Sequence, residues 1–170
     1  DGAVYVCDWF DARVGGHSTR DRGQTGAIYR IAPNGARLSI PKFDLKSTKG
    51  QISALKNPSP NVRELGRARL EAAGPKAIPA VKTLLSDASP FIRARAIWLL
   101  AKLGDEGLAI VESQLKHKDP QVRVAAFRAL RHQKHKTLEH AARLAGDDSP
   151  LVRREVAIAL RYVPFEKCRD

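Results

Sequence analysis

Only two of the 170 residues are cysteine, Cys7 and Cys168, one near each end and neither in a CxxC pair. That scarcity supports neither a disulfide framework nor a cysteine-ligated zinc module, and leaves two isolated thiols. Long apolar runs are missing as well: nothing approaches the ~18 consecutive residues that a membrane helix needs. Nothing resembles a nucleophile elbow, a phosphate loop or a metalloprotease motif. Methionine is absent, no signal-like N-terminus precedes the first strand-like residues, and the sequence stops after one helix of a repeat. It therefore reads as an excerpt of a longer protein, about whose targeting the missing signal says nothing. What remains is 43% apolar, enough for a packed core in one domain and a little more.

The most informative feature present is a repeat. Ser59-Pro60-Asn61-Val62-Arg63, Ser89-Pro90-Phe91-Ile92-Arg93, Asp119-Pro120-Gln121-Val122-Arg123 and Ser149-Pro150-Leu151-Val152-Arg153 place proline at 60, 90, 120 and 150. A fixed interval in the 20–50 residue range is the mark of a solenoid. Each copy also signals a helix start, with Ser or Asp as N-cap and proline at the first helical position. Val62, Ile92, Val122 and Val152, then Gly66, Ala96, Ala126 and Val156, then Leu70, Leu100, Leu130 and Leu160 share one helical face in each copy. The small residue at its centre lets a partner helix approach closely. A second helix follows, with stripes Ile78-Val81-Leu85, Leu108-Val111-Leu115 and Leu138-Ala141-Ala145. Gly74 and Gly104 stand where a left-handed cap ends the first helix, whereas Lys134 fills that place in the third copy and predicts a different corner. The unit is an αα-hairpin that hides its stripe against its neighbours.

Asp-x-Ser-Pro-x-Val-Arg, a first helix ending in Leu and a short second helix resemble HEAT repeats of the short class, best known from phycobilisome lyase-like proteins. The resemblance covers residues 57–170. It implies a mostly α fold: a right-handed αα-solenoid of about four HEAT-like repeats, 60–86, 90–117, 120–146 and a partial 150–170. Pro164 would end the last helix. Residues 41–56 read as a linker and capping helix, with Ser47 or Thr48 as cap and Ile52 and Leu55 facing inward.

Residues 1–40 differ in kind. Asp1–Trp9 and Gly26–Ala32 read as short strands joined by a polar loop, 10–25, and Pro33-Asn34-Gly35 supplies a turn. Two strands alone cannot hold a core in water, so they predict a remnant of a larger sheet. "DGAVYVCDW" followed by "GAIYRIAP" resembles the last propeller blade of glucose/sorbosone dehydrogenase-like proteins, nearest to the large membrane-bound dehydrogenases of planctomycetes, in which HEAT repeats follow the propeller. The sequence departs from that pattern at Ala27, where Arg is expected. The resemblance implies an extracytoplasmic parent, periplasmic or membrane-associated, that oxidises a sugar or alcohol with pyrroloquinoline quinone, calcium and haem c. The excerpt has no CxxCH haem motif and no catalytic centre of its own.

Net charge is +12, divided into +4 over residues 1–56 (nine Lys/Arg against five Asp/Glu) and +8 over 57–170 (twenty-one against thirteen). Arg63, Arg93, Arg123 and Arg153 recur at one offset, and Asp87 and Asp147 precede their prolines by three residues; the resemblance to HEAT arrays implies an Asp–Arg ladder between neighbouring repeats at these positions. Site candidates are few. Asp8 and Asp11 offer oxygen ligands to a hard cation, and His17, Arg20 and Arg22 could meet an anionic cofactor; a solvated loop is the plainer reading. His132, His135 and His140, with Glu139 and the cation-repelling Lys134 and Lys136, predict a surface corner rather than a zinc site. Trp98 is predicted to pack in the core. The favoured function is a scaffold that binds protein, its own propeller or other subunits, through the second helices. The alternative is nucleic-acid binding, with a variant similar to HEAT-like DNA glycosylases, which needs Lys82, Lys116, Lys118, Lys136 and Arg143 to converge on a concave face.

Overall fold

A computed structural model describes residues 3–8, 26–35, 42–164 and 166. The chain divides into two units, Asp1–Lys42 and Phe43–Asp170, so the capping helix belongs with the repeats. In the first unit β1 (Val4–Cys7) pairs antiparallel with β2 (Ile28–Ile31), Val4 opposite Ile31 and Cys7 opposite Ile28. Every residue of both strands is exposed.

The second unit consists of stacked helix pairs. Helix α1 (Thr48–Lys56) is capped by Ser47, whose side chain accepts from the Gly50 amide at 3.1 Å. It packs on α2 (Pro60–Ala73). Each first helix starts at its proline: α2, α4 (Pro90–Leu100), α6 (Pro120–His132) and α8 (Pro150–Leu160). The second helices are α3 (Ile78–Lys82), α5 (Asp105–Ser113) and α7 (Thr137–Leu144); the first two are extended by a 3-10 turn. Leu70, Leu100 and Leu130 are wholly buried, and Ile97, Leu103, Val111 and Phe127 join them. Burying each such side chain stabilises the stack by about 1.5–3 kcal/mol. Gly66 shows why the middle position is small: a Cβ there would lie 2.6 Å from the Leu55 amide nitrogen and 2.7 Å from the Gln51 carbonyl oxygen.

Three local expectations are corrected. Ser59, Ser89 and Ser149 make no side-chain cap bond; only Asp119 does, to the Gln121 amide at 2.9 Å. The turn is instead held by the residue three before proline: Asn57, Asp87 and Asp147 accept from the amides of Ser59, Ser89 and Ser149 at 2.8–2.9 Å. Gly74 and Gly104 have positive φ, but their ψ of −142° and −171° belongs to the extended region reserved for glycine rather than to the left-handed helical one. In the third copy Lys134 and Lys136 both take positive φ, 55° and 45°. With that corner the buried residues of α7 become His140, Ala141 and Leu144, while Leu138 and Ala145 are exposed.

The expected Asp–Arg ladder forms at two joints, Arg93–Asp119 and Arg123–Asp147, while the arginine-to-turn contacts recur in every copy. Arg63, Arg93, Arg123 and Arg153 each donate to two carbonyls of the turn preceding their own helix. Arg93 also reaches Asp119 at 3.7 Å, and Arg123 grips Asp147 with two bonds of 2.8 and 2.6 Å. Asp87 pairs instead with Lys56 at 2.8 Å.

Candidate functional site

The offset eight residues after each proline carries Ala68, Trp98, Arg128 and Ile158, and all four are exposed. Trp98 is therefore not a core residue; it is 37% exposed because that offset falls on the outer side of the first helices. Its ring meets His132 edge-on, centroids 5.6 Å apart. Trp98 and Leu99 from α4, with Leu55, Pro60 and the stem of Arg63, wall a groove of about 550 Å³ between α2 and α4.

The charges in this groove are unevenly matched. Arg67 is held by Glu64 and Glu71, and Lys102 lies 3.3 Å from Glu71. Arg95 donates to the Leu55 carbonyl at 3.1 Å and Arg63 to the carbonyls of Asn57 and Pro58. Neither has a carboxylate partner among the described residues. Burial, and then the neighbouring Arg63, lower the pKa of Arg95 from its ordinary value. The groove thus offers an aromatic edge beside two cations that form no salt bridge with a carboxylate among the described residues.

A second cluster was not legible from spacing. Glu112 of α5, His135 of the third corner and His140 of α7 bring one ligand atom each to within 4.8 Å of one another. His135 Nε2 is 2.9 Å and His140 Nε2 3.3 Å from Glu112 Oε1, and Lys136 Nζ lies 3.1 Å from the same oxygen. Burial raises the Glu112 carboxyl, but hydrogen bonds from Lys136 and His135 outweigh it and leave the group below its ordinary range. His140 is buried, correcting the expected surface corner, and burial lowers its pKa. Among the described residues neither ring nitrogen of His140 has a hydrogen-bond partner. His132 lies apart on Trp98, and Glu139 faces Arg143.

Of the other candidates, Asp8 is exposed beyond β1, its amide bonded to the Ala27 carbonyl at 2.7 Å. Asp11, His17, Arg20 and Arg22 lie outside the described residues. Of the five cations proposed to converge on nucleic acid, Lys136 and Arg143 are engaged by Glu112 and Glu139. No helix among the described residues is long and apolar enough to cross a membrane.

A family model for HEAT repeats matches residues 108–163. Among solved structures, the complex of CpcE and CpcF of phycocyanin lyase from Nostoc sp. PCC7120 is similar at 21% identity and a TM-score of 0.50, over 72% of this chain and 82% of that one. An engineered protein is similar at 16% identity and a TM-score of 0.33, over 72% of this chain and 62% of that one. No curated protein matches. Proline-phased helix pairs, the family match and the shared architecture together make the helical unit a right-handed αα-solenoid of HEAT-like repeats.

Proposed function

We propose that the repeats form a protein-binding scaffold, and that the groove between α2 and α4 seats an acidic, aromatic-bearing segment of the partner. One observation carries this reading: Trp98 stands exposed beside Arg63 and Arg95, which no carboxylate bridges among the described residues. Tryptophan and arginine in a partly dry pocket are the residues that most often anchor an interface. The sequence suggested the second-helix surface instead. The exposed large apolar side chains move the proposal: Leu65, Phe91, Trp98, Leu151 and Ile158 lie on first helices, and Leu138 alone on a second helix.

The test uses the full chain carrying Trp9→Phe, so that Trp98 is its only tryptophan. Titration with a peptide of alternating Glu and Phe should change its emission, with an affinity that falls as salt rises. Arg95→Gln and Arg63→Gln should each weaken binding about fivefold or more, as loss of a charge-assisted bond implies. Equal affinity in these variants would refute the groove. Tighter binding of duplex DNA than of the peptide, with log K falling at a slope near −0.9 per phosphate contact, would favour the nucleic-acid reading.

For the longer protein we propose an extracytoplasmic propeller dehydrogenase, on the resemblance of the strand segments and the order of parts. The β1–β2 pair supports it, since two fully exposed strands need further strands to bury a face. Pyrroloquinoline quinone, calcium and haem c would belong to that larger part. Calcium takes six to eight oxygen ligands, of which Asp8 is the one candidate carboxylate among the described residues. Sequencing the complete reading frame tests this; flanking segments without propeller strands would overturn it.

A further inference from the structure

We propose that Glu112, His135 and His140 form a binding site for a divalent transition-metal ion of the zinc class, which staples the second repeat to the third. The residues come from three separate places, the end of α5, the corner before α7 and the first turns of α7. Their convergence is a product of packing rather than of one helical face. A tetrahedral ion with bonds of about 2.0–2.1 Å sets its ligand atoms about 3.3 Å apart. The two nitrogen–oxygen separations, 2.9 and 3.3 Å, already approximate two edges of that tetrahedron.

His140 supplies the independent argument. It is only 1% exposed, and among the described residues both its ring nitrogens lack a hydrogen-bond partner. Its Nε2 stands 3.3 Å from Glu112 Oε1, yet makes no hydrogen bond to it. Buried polar atoms are paired in the great majority of cases, so an orphaned imidazole aimed at a carboxylate and a second imidazole calls for a ligand. Two imidazoles and one carboxylate are a borderline-soft donor set that suits zinc, and a zinc site with three protein ligands keeps its fourth position for water. Space exists for that water: a cavity of about 380 Å³ lies against Glu112, His140, Lys116, Arg143 and Asp147. Lys136 is the competitor. Its ammonium occupies the same Glu112 oxygen, but its side chain is half exposed and can turn to solvent when a cation replaces it. Mutual replacement of Lys136 by metal makes the proposal specific, because a purely structural hydrogen-bond network would need the lysine.

The test is calorimetric titration of the full chain, stripped with chelator, with Zn²⁺, alongside absorption with Co²⁺. The proposal expects one ion per chain, a Co²⁺ spectrum of four-coordinate intensity, and a thermal midpoint that rises with Zn²⁺ and falls back with chelator. His135→Gln and Glu112→Gln, both partly exposed and compatible with folding, should weaken binding about tenfold or more. Lys136→Gln should tighten it. His117→Gln, His132→Gln and Cys7→Ser should leave it unchanged. Absence of stoichiometric binding, equal affinity in His135→Gln, or weaker binding in Lys136→Gln would each overturn the site. None of these outcomes depends on the groove at Trp98.

Discussion

The Asp147 carboxylate does two jobs, and removing it ends both. It closes the third-to-fourth repeat joint through the paired bonds from Arg123, and it starts α8 by accepting from the Ser149 amide at 2.8 Å. The two side chains are 14% and 9% exposed, so the pair is largely shielded from water and its bonds keep most of their strength. A hydrogen bond to a charged group contributes about 1.5–3 kcal/mol. Arg123 stays tied to the His117 carbonyl at 2.8 Å, which softens the loss. Asp147→Ala should therefore cost about 3 kcal/mol, a large share of a total of about 5–15. At roughly 2–4 °C per kcal/mol for a chain of this size, the midpoint should fall by about 6–12 °C. Asp147→Asn should cost about half as much, because Asn57 already makes the same turn bond in the first repeat. Ser149→Ala, whose hydroxyl caps nothing, should cost under about 0.5 kcal/mol.

The same pair gives a pH signature. The hydrogen bond from Arg123 holds the Asp147 carboxyl below its ordinary value. A folded-state pKa that is depressed contributes stability above the unfolded value of about 3.9, and that stability is lost as pH falls through the folded value. The gap between the wild-type chain and Asp147→Ala should be constant from neutrality to about pH 5 and close in more acid solution. Denaturation followed by circular dichroism at several pH values measures it. If Ser149→Ala proved as damaging as Asp147→Ala, or the gap ignored pH, the assignment of the joint would be wrong.

Two further substitutions probe the stack. Gly66→Ala should cost about 2–4 kcal/mol by forcing α1 off α2, since the new methyl meets backbone that cannot turn aside; chemical denaturation checks it, and a wild-type midpoint would mean the helices do not approach so closely. Val122 is 6% exposed, and Val122→Asp should unfold the array, because an unpaired buried carboxylate costs several kcal/mol; retained helical circular dichroism would contradict the packing.

The repeat was legible because its signals are local and phased. Proline at the helix start, a small residue six further on and leucine at ten each act within one helix, and four copies check one another. Trp98 was misplaced because the stripe was read within a single helix, where it adjoins Ile97 and Leu99. Aligned across repeats, its offset also holds Ala68 and Arg128, a pattern of an outward face. The Glu112–His135–His140 cluster joins residues 23 and 28 positions apart, through a corner that two lysines close in place of glycine. No periodicity reports such a corner. Leu138 looked like a core residue for the same reason, since its place in the stripe presumed that the third corner copies the first two.

The location of the binding surface is the claim on which the functional account stands, and hydrogen exchange of the full chain with and without the Glu/Phe peptide tests it most directly. Slowed exchange confined to α2 and α4, centred on the turns bearing Arg63, Arg95 and Trp98, is the predicted result. Protection on α3, α5 and α7, with α2 and α4 unchanged, would contradict it.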